Sequence, residues 1–70
     1  MMNYTVVISK APTGYIAICP SVPECHAQGS TYDECLANAK EALELCIEYM
    51  KEKGLPLPEE VGRETVAIAS

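Results

Sequence analysis

Tryptophan and phenylalanine are absent from this chain, and only Tyr4, Tyr15, Tyr32 and Tyr49 are aromatic. That leaves little for a platform on which nucleic-acid bases could stack. Positive charge is also scarce. Five Lys and Arg stand against ten Asp and Glu, for a net charge of −5. Phosphate affinity comes from clustered Lys and Arg, so nucleic acid is not expected as a direct ligand of this chain alone. No apolar run approaches the roughly 20 residues of a membrane span, so no membrane contact is expected. The opening residues Met1-Met2-Asn3-Tyr4-Thr5 lack the basic and apolar regions of an export signal, and the expected location is cytoplasmic.

The chemistry-bearing patterns are missing as well. No C-x₂-C pair occurs, and the single histidine, His26, directly follows Cys25, so no metal site is expected. The four glycines (Gly14, Gly29, Gly54 and Gly62) stand apart from one another, which rules out a glycine-rich phosphate loop and leaves no cofactor implied. Cys25 and His26 would point to opposite faces of a strand, and His26 has no orienting carboxylate beyond its sequence neighbour Glu24. An enzyme using His26 with Cys25 or Glu24 is therefore a rival reading, and no catalytic residue is assigned. The first two apolar segments carry no Asp or Glu, the groups a two-metal nuclease would project from such strands.

What is present is a 70-residue chain with 49% hydrophobic residues, expected to form one domain over residues 1–70. A chain of this size buries only roughly 60% of its unfolded surface, so some staple is usually required. Cys19, Cys25, Cys35 and Cys46 read as small buried apolar side chains in a reducing compartment. That leaves association with another chain, as a homodimer or higher homo-oligomer, as the expected source of added stability.

Tyr4–Ser9 and Tyr15–Cys19 read as strands joined through the turn Ala11-Pro12-Thr13-Gly14. Pro20 ends the hairpin, Ser21–Glu24 is a stiff connector, and Cys25–Gln28 reads as a short third strand. Thr31-Tyr32-Asp33-Glu34 fits a capping box and opens a helix expected over Tyr32–Lys53, closed by Gly54. After Pro56 and Pro58, Glu64–Ile68 reads as a fourth strand. Strand directions and a right-handed crossover predict an α+β fold: a βββαβ mixed sheet in the order 3-2-1-4 with one helix on one face.

Apolar residues exceed what that architecture needs. Leu36, Ala39, Leu43, Cys46, Ile47 and Met50 form the stripe expected to meet the sheet, while Cys35, Ala42, Leu45 and Tyr49 form a second flank. Alternation places Tyr4, Val6, Ile8, Ile16, Ile18, Val66 and Ile68 toward the helix. The opposite face takes Thr5, Val7, Tyr15, Ala17, Cys19 and Ala67, which is only partly polar. One helix cannot cover both faces, so a partner surface is expected. Leu45 and Tyr49 read either as the edge of the core or as part of that surface. Glu34, Glu41, Glu44 and Glu48 read either as a solvated helix face beside Lys40 and Lys51 or as an acidic patch for a basic protein.

Pro20-Ser21-Val22-Pro23-Glu24-Cys25, then Ala27-Gln28-Gly29-Ser30-Thr31, then Glu34 through Leu43, recur in the order that resembles the N-terminal domain of HicB-type antitoxins. The resemblance runs over about residues 4 to 60; many such antitoxins carry a C-terminal DNA-binding domain, and none is expected in residues 1–70. It implies a reduced ribonuclease H-like fold without the nuclease carboxylates. It further implies the antitoxin of a type II toxin–antitoxin pair, which occludes a small basic HicA-like toxin that cleaves mRNA. The expected partner-binding residues are Glu41, Glu44, Leu45, Glu48 and Tyr49. The alternative is a stand-alone oligomeric binding module for another protein or a small ligand.

Overall fold

A computed structural model describes residues 3–62, 64, 66 and 67. The fold is α+β: a three-stranded antiparallel sheet, β1 (Val7–Ala11), β2 (Gly14–Ile18) and β3 (His26–Gly29), and one helix, α1 (Tyr32–Glu52), in the sheet order β1-β2-β3. Each element lies where the sequence predicts it, with the first strand displaced toward the turn. The expected fourth strand falls partly on residues 65 and 68, which lie outside the described residues; Glu64, Val66 and Ala67 carry no strand pairing.

The hairpin turns through Pro12 and Thr13 alone, so Ala11 pairs with Gly14 and Ile8 with Ala17. Directly opposed residues share a face of the sheet. Ile8 and Ala17 therefore face the helix together, with Tyr15 and Ala27 beside them. This corrects the expected facing of the second strand. Ile16 and Ile18 lie on the outer face with Val7, His26 and Gln28, while Ala17 and Cys19 are buried. A two-residue loop sets an even-numbered residue of β1 opposite an odd-numbered one of β2, and an apolar pattern on both faces could not reveal that.

The prolines shape the next segment. Val22 N–H donates to Cys19 C=O at 2.9 Å, Cys25 N–H to Val22 C=O at 2.8 Å, and Cys19 N–H to Cys25 C=O at 3.2 Å. These are two consecutive turns with Pro20 and Pro23 each at the second position, where a fixed φ near −65° is favourable. Val22, at their junction, is fully buried with Cys19 and Cys25 beneath the second half of α1.

The helix opens as its capping box requires. Thr31 Oγ1 accepts from Glu34 N–H at 3.1 Å, and Glu34 Oε1 accepts from Ser30 N–H at 3.1 Å, one residue upstream of the usual reciprocal donor. It closes with Gly54 at φ +69°, Gly54 N–H donating to Lys51 C=O and Leu55 N–H to Met50 C=O, a Schellman pair. Cys35 and Ala39 seat the first half of α1 on Ala17, and Ala42, Leu43, Cys46, Ile47 and Met50 continue the contact over Val22. Leu36 is exposed instead of packed, and Cys35, expected on the flank, takes the innermost position. The exchange follows from distance. At Gly29 a β-carbon would stand 2.6 Å from Cys35 N, so the helix start lies too close to the sheet for a leucine between them.

Gly29→Ala should lower stability by about 1–3 kcal/mol, since backbone atoms must move to admit one carbon. Gly62→Ala, where nothing lies within 4 Å, should stay within about 0.5 kcal/mol. Urea unfolding followed by circular dichroism checks both.

Candidate functional site

Six residues are fully buried among those described: Ala17, Cys19, Val22, Cys25, Cys35 and Ala39, none larger than valine. Ile8, Tyr15, Tyr4, Leu43, Ile47 and Met50 are half-buried against them, and further large apolar side chains are exposed on two surfaces. One is the outer sheet face, where Val7, Ile16 and Ile18 are exposed beside His26 and Gln28. The other is α1 itself. Glu41, Glu44, Leu45, Glu48 and Tyr49 are all exposed, and each has another of the five three or four residues away, so the five expected partner-binding residues share one continuous face.

That face is polarised. Glu41, Glu44 and Glu48 run along its crest, while Leu45 and Tyr49, 60% and 57% exposed, slope toward the side on which the helix meets the Cys19–Cys25 double turn. Lys53 reaches back over the Tyr49 ring, its Nζ 5.8 Å from the centroid, and helps hold the ring in place. Below the slope, Leu45, Cys46, Tyr49, Met50 and Leu55 with Glu24 line a hollow of about 350 Å³. Glu24, Cys46, Met50 and Leu55 were not singled out as partner contacts from sequence. The signal available was the P-x-x-P spacing, which folds Glu24 back beside the helix.

Cys25 and His26 face opposite ways: the thiol is buried beneath α1 and the imidazole is exposed on the outer sheet face. The structure does not bring the two side chains together. Among the described residues, no group of three or more His, Cys, Asp or Glu side chains is arranged to hold a metal ion, and no helix is long and apolar enough to cross a membrane.

Residues 4–68 match the family described as the HicB-like antitoxin of bacterial toxin–antitoxin systems. The chain belongs to the HicB-like antitoxin family. It is 44% identical over 59 residues to a UPF0150 protein of Synechocystis sp., covering 83% of this chain and 75% of that protein. A UPF0150 protein of Thermoplasma acidophilum is 39% identical over 64 residues, covering 90% of this chain and 93% of its own length. A 14.9 kDa protein of Haemophilus phage HP1 is 42% identical over 57 residues, or 81% of this chain and 43% of the phage protein. Membership supports an antitoxin role in general terms, implies a toxin as partner and suggests a non-enzymatic role.

Beneath the HicB-like helix, the Cys25 thiol is pushed up to about 11, first by burial and then by the neighbouring Cys46 and Cys19 thiols. The folded chain thus holds this proton more tightly than the unfolded chain, whose thiol has the ordinary value of 9.0. The resulting stabilisation is complete below pH 9 and is lost as pH rises through about 11. The urea midpoint should therefore fall across that window, and fall less steeply in Cys25→Ala, as denaturation series at stepped pH would show.

Proposed function

We propose that this HicB-like chain is the antitoxin of a type II pair that binds and occludes a small basic HicA-like toxin, an mRNA-cleaving enzyme. The observation that carries this reading is the exposed acidic crest of Glu41, Glu44 and Glu48 beside Leu45 and Tyr49. Apolar side chains next to a row of one charge suit a complementary protein surface, with the charge guiding encounter and the apolar groups holding the complex. Covering the basic surface of such an enzyme would exclude its RNA, so inhibition needs no chemistry from the antitoxin.

The fuller reading of the fold is a reduced ribonuclease H-like sheet in the order 3-2-1-4. Its support lies at the edge beyond β1. Tyr4 Oη donates to Pro58 C=O at 2.8 Å, Thr5 Oγ1 donates to Glu60 Oε2 at 2.8 Å, and Thr5 N–H donates to Glu60 Oε1. The segment after α1 thereby returns along the strand-one side, the place where a fourth strand would be added. A homodimer or higher homo-oligomer in the cytoplasm is part of the same proposal, with the outer sheet face of Val7, Ile16 and Ile18 as its contact. That face also favours the second reading, a self-associating binding module without a toxin. Protein binding is the role proposed for residues 1–70, and operator contact is assigned to none of them.

Co-expression with a small basic toxin encoded beside this chain should rescue growth, and the two proteins should co-purify. Rescue failing with every such toxin would overturn the antitoxin reading. Replacing Glu41, Glu44 and Glu48 together by Gln should slow association by about tenfold at low salt while leaving the dissociation rate nearly unchanged. Stopped-flow mixing at increasing salt should show the two chains converging.

A further inference from the structure

The hollow below Tyr49 is more than the edge of a core. Its walls come from three separate parts of the chain, each held by its own bonds. Leu45 and Tyr49 lie one turn apart on α1, with the half-buried Cys46 and Met50 forming the floor. Leu55, 48% exposed, is fixed by the Leu55 N–H bond to Met50 C=O at 2.9 Å. Glu24 lies within the double turn that the Cys25 N–H bond to Val22 C=O closes at 2.8 Å. The pocket is therefore formed before any partner arrives, and binding into it would not require ordering a loop.

Its chemistry specifies an occupant. The lining is apolar except for one carboxylate, Glu24, at the wall, and the acidic crest of Glu41, Glu44 and Glu48 runs along the same helix. A volume of about 350 Å³ has room for a large side chain. We infer that this hollow is the anchor socket of the toxin-binding face: it takes a single large apolar side chain from a basic partner, with an adjacent Lys or Arg of that partner paired to Glu24. The inference rests on the antitoxin reading and adds to it the point of attachment. A buried aromatic or aliphatic anchor in a preformed pocket, ringed by weaker polar contacts, is where binding energy concentrates at protein interfaces. The crest then guides approach, and the socket sets how long the complex lasts.

The test uses the full ¹⁵N-labelled chain and a short lysine-rich peptide carrying one central phenylalanine, with a second peptide carrying alanine in its place. The phenylalanine peptide should give saturable amide shifts at Glu24, Leu45, Cys46, Tyr49 and Leu55, and the alanine peptide should bind at least about tenfold more weakly. Tyr49→Ala and Leu55→Ser should each weaken the phenylalanine peptide by about tenfold. Glu24→Gln should reduce the salt dependence and leave the preference for phenylalanine intact. Both apolar positions are exposed, so an unchanged urea midpoint will confirm that the variants are folded. Equal binding of the two peptides, shifts centred on Val7, Ile16 and Ile18, or no saturable binding would overturn the socket. Growth rescue reports on the antitoxin reading separately. Rescue without docking here removes only the socket. Docking without rescue keeps the socket and removes the toxin.

Discussion

The close seating of α1 on the sheet governs the rest of this structure. Gly29 admits the helix start to within a distance that no β-carbon would allow, and Cys35 and Ala39 lie directly on Ala17. Only small side chains fit such a contact, so the buried set is alanine, cysteine and valine. Larger side chains such as Ile8, Leu43 and Ile47 pack only at its margin, and Ile16, Ile18, Leu36, Leu45 and Tyr49 are exposed. The apolar area that stabilises a domain of this size is thus divided between a thin interior and two exposed surfaces, and only the interior acts without a partner.

The double turn between β2 and β3 has two roles from one proline spacing. It buries Val22, Cys19 and Cys25 under the second half of the helix, which completes the interior. It also brings Glu24 back beside the helix, which gives an otherwise apolar hollow its one charge. The Schellman closure at Gly54 does the same on the other side, ending the helix and fixing Leu55 in one step. Local rules for turns and caps therefore shape the walls of the candidate site, and the packing of the double turn against α1 brings those walls together.

Those local rules are what the sequence made readable. Thr31 and Glu34 at the helix start, Gly54 at its end, and Pro12-Thr13 in the hairpin all act as their residue types predict. The five residues expected at the partner face do share one exposed face. The facing of β2 is not legible from composition, because Ile16 and Ile18 and their neighbours Ala17 and Cys19 are all apolar, and hydrophobicity alone favours the larger pair for the interior. The register implied by a two-residue loop held the answer. The displacement of Leu36 by Cys35 was illegible for a related reason: it depends on the helix-to-sheet distance, which Gly29 sets from a different element. Glu24 and Leu55 reach the site only through chain reversals, so no helical periodicity could have included them.

A thin interior of small side chains also bears on abundance. Little free energy separates such a domain from its open forms when it stands alone, and whatever binds the closed form adds stability in proportion to the logarithm of its own concentration. Unaccompanied copies would open more often and be cleared sooner by proteases, while complexed copies would persist. The number of surviving molecules would then follow the supply of whatever partner binds the closed form, a matching of stoichiometry that arises from packing alone.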